Sequence, residues 1–303
     1  MKILKELNLD DVVFIDIETV RLVDKLEKDT PLWDSWDYKL RYSREAEKFD
    51  GSIEEQFETK AALYAEFAKI VTITIGRIKE GKIIIKSYSD HDEKKLLTDF
   101  CDVMGKLSSK NKRTRFAGHA IKGFDIPFIM RRCLVNGIEL PDTIDIGHLK
   151  PWETTMIDTL DLWKGTGFYG ASLLNIATAF GLPSPKSDIS GSETSDVYWR
   201  RKEVDGITPL ERITAYCEKD VATVANIVLK MRGEKELESE ISDIKPEKAL
   251  LMEKIFNSGK VSKEDQEEID SVMSMLEDHE VDVAKEILSV TLPKTHRKLN
   301  KTK

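Results

Sequence analysis

Four apolar residues, Val12-Val13-Phe14-Ile15, run without a polar break into Asp16-Ile17-Glu18-Thr19. A short β-branched and aromatic run with no alternation reads as a strand covered on both faces, which places it inside an α/β sheet. Asp16 and Glu18 are two residues apart, so both point to the same side of that sheet. Two carboxylates at the end of a buried strand repel each other and are costly unless a cation neutralises them. The pair therefore sits where a buried strand reaches a ligand-facing edge. Asp90-His91-Asp92 has the same spacing without that context.

The other elements follow from periodicity. Residues 70–76 alternate as a second strand and residues 82–88 form a third, with Glu80-Gly81 between them as the turn of an antiparallel hairpin. Leu96, Leu97, Phe100, Val103, Met104 and Leu107 trace one helical face after Asp92. Arg115-Phe116-Ala117-Gly118 is a fourth, short strand. A helix over about Pro127–Val135 ends at Asn136-Gly137. Ser172 caps another helix, closed by Gly181 and Pro183, and a long helix begins after Thr208-Pro209. Residues 182–208, rich in Ser, Gly, Pro and acid, are expected to be a loop. The sum is an open mixed α/β sheet flanked by helices.

Two segments fall outside this pattern. Residues 19–69 are too long for an ordinary connection and carry Trp33, Trp36, Tyr38, Tyr42, Phe49, Phe57, Tyr64 and Phe67, so they form an ordered insertion. Packing of these rings on the sheet is favoured over stacking on nucleobases. Beyond Gly233, residues 231–293 hold 8 basic and 17 acidic residues, whereas the last ten hold five basic and none acidic. Residues 1–233 are read as one domain, and 234–303 as an acidic helical appendage with a basic, flexible end. Its short helices are expected near 246–257, 263–277 and 279–290, and its expected use is binding a protein partner or packing within the chain.

No apolar run approaches the ~20 residues of a membrane span, and no signal-like stretch opens the chain. Cys101, Cys133 and Cys217 are too scattered for a disulfide framework or a zinc pattern, which fits a reducing, cytoplasmic setting. The net charge of −8 argues against coating nucleic acid by bulk charge and leaves room for carboxylates gathered around cations.

Further carboxylates suit that role. Asp125 follows Gly123-Phe124, and its plain alternative is to cap the helix after it. Tyr216 and Asp220 are four apart on the long helix and share a face. Asp16, Glu18, Asp125 and Asp220 are hard oxygen donors suited to Mg²⁺ or Mn²⁺. Two such ions about 3.5–4 Å apart hold both the attacking and the leaving oxygen of a phosphodiester displacement.

Phe14-Ile15-Asp16-Ile17-Glu18-Thr19, Gly123-Phe124-Asp125-Ile126-Pro127-Phe128 and Tyr216-Cys217-Glu218-Lys219-Asp220-Val221 resemble the three motifs of the DEDDy 3′–5′ exonucleases. The likeness is to the proofreading domain of family B DNA polymerases and its stand-alone, PolB-like relatives, and it runs from about residue 10 to 233. It implies a ribonuclease H-like fold and hydrolysis of nucleotides from the 3′ end of single-stranded or frayed DNA, releasing nucleoside 5′-monophosphates. By the same resemblance Asp16 bridges two metal ions, Glu18 and Asp220 complete the tighter site, and Asp125 holds the second ion partly through water. Tyr216 orients the attacking water, and the backbone amide of Thr19 meets the terminal nucleotide. His119 and Phe124 are further candidates for substrate contact. One departure stands out: the polymerase pattern places asparagine at Ala120.

Asp158 and Asp161 are expected to support the site and not to ligate. Lys186 and Arg200-Arg201-Lys202 are candidates for holding phosphates, against an ordinary solvated loop. An RNA 3′-trimming enzyme on the same scaffold is a competing reading, because fold does not fix substrate. A catalytically inactive module binding nucleic acid or a replication partner is another.

Overall fold

The computed structural model describes residues 1–42, 51–150, 152–184, 189, 191–200 and 207–241. The expected helices beyond residue 245, and Phe49, Lys186, Arg201 and Lys202, lie outside the described residues.

A short helix α1 (Lys2–Lys5) precedes β1 (Val12–Arg21), which runs past the two acids. The insertion that follows contains α2 (Pro31–Tyr42) and α3 (Ile53–Lys60). Then come the hairpin β2 (Ala68–Lys79) and β3 (Lys82–Ser89), helix α4 (Glu93–Lys110), strand β4 (Arg115–Gly118) and helix α5 (Asp125–Asn136). Strand β5 (Ile157–Asp158) leads directly into α6 (Thr159–Lys164), and α7 (Leu173–Ala179), α8 (Thr194–Arg200), α9 (Pro209–Arg232) and β6 (Ser239–Ile241) complete the order.

The six strands lie in the order β5-β4-β1-β2-β3-β6. β1 is parallel to β4 and antiparallel to β2. β3 is antiparallel to β2, and β5 runs parallel to β4. This is the open, helix-flanked mixed α/β sheet expected from the sequence. The hairpin turn uses Glu80 and Gly81, both at positive φ (52° and 77°), as a tight turn matched to strand twist requires. β6 is a difference: three residues from beyond Gly233 pair in parallel with Ile83–Ile85, and the compact unit extends to Ser242.

β1 divides the core. Val13, Ile15 and Ile17 face a layer containing Leu97, Phe100, Ile126 and Ile129 from α4 and α5. Val12 and Phe14 face the opposite layer, with Val221, Val224 and Val228 of α9. Continuing the alternation, Asp16 and Glu18 fall on the α9 side. α9 is fixed at both ends: Thr208 and Glu211 form a capping box, and Gly233 closes it at φ 86°.

In the insertion, Trp36 is fully buried against Phe57 and Phe67 and donates from Nε1 to the Ile53 carbonyl at 3.1 Å. Of the described rings, Trp36, Phe57 and Phe67 are buried, with Trp33 and Tyr64 packed against them, in a cluster of the insertion's own and not on the sheet as expected, while Tyr38 and Tyr42 stay exposed.

Residues 182–208 depart from the loop expectation, because α8 lies within them. Its warrant is not local. Trp199 Nε1 donates to the Arg21 carbonyl at 3.0 Å, and the Arg21 amide donates to Ser195 Oγ at 3.1 Å. The wholly buried Arg21 guanidinium pairs with Asp24 at 3.0 Å and Asp196 at 2.9 Å. Arg200, a candidate phosphate holder, is instead engaged by Asp24, Glu58 and Asp196.

Candidate metal and nuclease site

The acid pair is placed by two neighbours that stop short. β4 pairs with β1 only at Val12–Phe14, so the Ile17 amide on that edge has no strand partner. Asp125 supplies one: its Oδ1 accepts from the Ile17 amide at 3.1 Å. This corrects the capping expectation. Phe124 occupies the N-cap position without a side-chain hydrogen bond, and Asp125 is the first helical residue, turned to β1. The turn before it needs Gly118. A Cβ there would lie 2.1 Å from Ile121 Cγ2 and 2.8 Å from the Ile15 carbonyl oxygen.

From the other side α9 brings Tyr216, Cys217 and Asp220. The ligand atoms of Asp16, Glu18 and Cys217 all lie within 4.8 Å of one another. Cys217 Sγ donates to Asp16 Oδ2 at 3.2 Å, above the cross-strand pair of Asp16 and Thr74. The Tyr216 phenol donates to the carboxylate of Asp220. Thr194, on α8, donates to Glu18 Oε2 at 3.0 Å. Asp125 and Asp220 lie outside the tightest cluster but act on it through charge.

The electrostatics are those of crowded, dry acids. Burial, then the charges of Asp125, Asp220 and Glu18, drive Asp16 well above the carboxylate range. Burial and Asp220 push Glu18 up to about 8. Asp125 and Asp220 rise to about 7, chiefly through burial. Burial and the same carboxylates raise the Tyr216 phenol and the Cys217 thiol, so both stay protonated near neutrality. Among the described residues no lysine or arginine forms an ion pair with any of the four acids. A donor set of buried oxygens with no protein counter-charge fits a divalent cation.

The remaining candidates divide. Thr19 is buried and its hydroxyl donates to the Ala62 carbonyl at 2.8 Å; a register shift separates it from Glu18. His119 Nδ1 lies 3.0 Å from Thr159 Oγ1, its ring also bonds the Ala171 carbonyl, and burial holds it below its ordinary range. Phe124 packs on Phe128 at 5.2 Å between centroids. Asp158 is committed to backbone, accepting from the amides of Ala120 (2.8 Å), Lys122 (3.1 Å) and Leu160 (3.0 Å), while Asp161 pairs with Lys122.

Two neighbours of the acids were not foreseen. Cys217 had a signal: Ile213, Cys217 and Val221 repeat at four-residue spacing on the buried stripe that holds Asp220. Thr194 had none, because its segment reads as loop by composition.

A solved structure similar to this chain is a family B DNA polymerase from the hyperthermophilic archaeon Pyrobaculum calidifontis, at 15% identity and a TM-score of 0.43. The match covers 73% of this chain and 24% of the polymerase, so the chain spans about a quarter of that protein's length. No curated protein matches. The model of a family described as a predicted 3′–5′ exonuclease related to the exonuclease domain of PolB matches residues 61–265, a span with Asp125, Tyr216 and Asp220 but not Asp16 or Glu18. The chain belongs to this family of predicted PolB-like 3′–5′ exonucleases.

Proposed function

We propose that the chain is a divalent-metal-dependent exonuclease that removes nucleoside 5′-monophosphates from the 3′ end of single-stranded or frayed DNA. The observation that carries this reading is the convergence of Asp16 and Glu18 from β1, Asp125 from α5 and Asp220 from α9, buried together without a basic partner among the described residues. Asp16, Glu18 and Asp220 would hold one Mg²⁺ or Mn²⁺ and Asp16 with Asp125 a second. Bound there, the cations would polarise the phosphate and lower the pKa of water.

The chain's own groups do the rest. Thr194 fixes one oxygen of Glu18, and the Ile17 amide fixes one oxygen of Asp125. Without a bound cation, burial and the neighbouring carboxylates keep the Tyr216 phenol protonated, which suits a hydrogen-bond donor that orients water. With β6 in the sheet, a domain spanning residues 1–242, followed by a partner-binding appendage, is part of the same proposal.

End-labelled DNA and RNA oligonucleotides with Mg²⁺ or Mn²⁺ test it. DNA is expected to shorten from the 3′ end, and Asp16→Ala or Asp220→Ala to abolish turnover while the fold survives. Unchanged degradation by those variants refutes the assignment, and faster loss of RNA reverses the substrate.

A further inference from the structure

Phe168 and Tyr169 are the most exposed large apolar side chains among the described residues, at 93% and 92%. The neighbouring exposed aromatics have partners. Trp163 meets Phe180 edge-on at 5.8 Å, and Lys150 lies 5.5 Å from the Trp152 ring. Among the described residues neither Phe168 nor Tyr169 has a ring or cation contact of this kind. Two adjacent, fully wetted rings contribute nothing to folding, so their use lies outside the core.

Their loop is tied to the carboxylates at its base. Gly170 lies against α6, where a Cβ would come 2.6 Å from Leu160 Cδ1. The next residue, Ala171, offers its carbonyl to His119, which opens the turn leading to Asp125. Asp158, which caps α6, grips the same turn through the amides of Ala120 and Lys122. From Ala171 back to Tyr169 the chain spans at most about 7 Å. β1, β4 and β5 run in one direction, so this loop rises from the sheet edge where their carboxyl ends meet the acids. The chain from Leu162 to Ser184 carries Lys164 and no acidic residue, in a protein of net charge −8. That stretch does not repel a polyanion.

From this placement we infer that Phe168 and Tyr169 form a stacking platform for unpaired nucleobases of the strand whose 3′ end enters the site. The flat, sequence-tolerant surface and the acid-free setting suit single-stranded nucleic acid. The inference takes its ligand from the nuclease reading, and binding measured without catalysis separates the two.

The test uses the full chain in EDTA with a fluorescein-labelled oligothymidylate, read by anisotropy. Phe168→Ala and Tyr169→Ala are each expected to weaken binding roughly tenfold, leaving the melting temperature and the salt slope unchanged. Phe168→Tyr and Tyr169→Phe are expected to restore it. Under cleavage conditions the alanine variants are expected to raise KM more than they lower kcat. Binding that ignores both rings, with cleavage intact, overturns the platform alone. Ring-dependent binding without cleavage supports the platform and refutes the nuclease. Sedimentation showing that the rings are buried between two copies of the chain also overturns it.

Discussion

Thr194 donates a hydrogen bond to Glu18 Oε2 at 3.0 Å, joining α8 to the acid pair across 176 residues of chain. The hydroxyl is the side-chain donor that holds this carboxylate, and α8 is itself pinned through Arg21.

Thr194→Val keeps the shape and removes the donor. Loss of a hydrogen bond that orients a metal-ligating carboxylate costs roughly 10–100-fold in metal affinity. Mn²⁺ titration calorimetry is expected to show that loss for Thr194→Val and not for Thr194→Ser. Equal affinities for wild type and valine would mean that Glu18 is oriented without Thr194.

Metal-free stability is expected to run against the usual trend for acids. Glu18 rises to about 8 and Asp125 and Asp220 to about 7, far above their unfolded values. The folded state then holds protons that the unfolded chain has released, so stability falls as pH rises from about 4 to about 8. In EDTA the melting temperature is expected to drop from about pH 5 to about pH 8, and Mg²⁺ to flatten the curve. Asp220→Asn is expected to raise the metal-free melting temperature near the top of that range. A profile in EDTA that rises or stays flat contradicts the crowded-acid picture.

What could be read from the sequence was local. The hairpin at Glu80-Gly81, the Ser172-capped helix and the helix that starts after Thr208-Pro209 are signals carried within a few residues, and each element formed. The acid pair was legible because alternation places Asp16 and Glu18 on the face of Phe14. Long-range competition decided the rest. Asp125 has the residue type of a cap, but the Ile17 amide, 108 positions away, takes its carboxylate. α8 is held through Ser195 and Asp196 to Arg21 and through Thr194 to Glu18, long-range contacts that no window around residue 195 reveals.

Arg132 and Glu93 make a buried, two-pronged ion pair, with Nε to Oε1 at 2.9 Å and Nη2 to Oε2 at 2.6 Å. Glu93 also accepts from the Ile70 amide, and Arg132 donates to the Ala65 carbonyl, both at the entry to β2. Removing one partner strands a buried charge and is expected to cost about 3–5 kcal/mol. Urea unfolding of Arg132→Met should show it, and pairing that change with Glu93→Leu should recover part. A loss below about 1 kcal/mol would place the pair among surface bridges.

Ala120 stands where the polymerase pattern that the chain resembles would put asparagine, and its backbone lies at φ 62°. Left-handed backbone costs an ordinary L-residue about 1–2 kcal/mol, and asparagine tolerates it better than alanine. Ala120→Gly relieves the strain but loosens the unfolded chain by about 0.5–1 kcal/mol, so its net gain is small. Ala120→Asn escapes that entropy and is expected to add about 0.5–1 kcal/mol, since the amide still reaches Asp158 Oδ1 at 2.8 Å. Thermal melts rank the three. If asparagine also grips the strand, Ala120→Asn alone lowers KM for oligonucleotide. If asparagine changes stability and leaves KM where alanine has it, the residue serves the turn that delivers Asp125, and the missing polar contact in this chain is no loss.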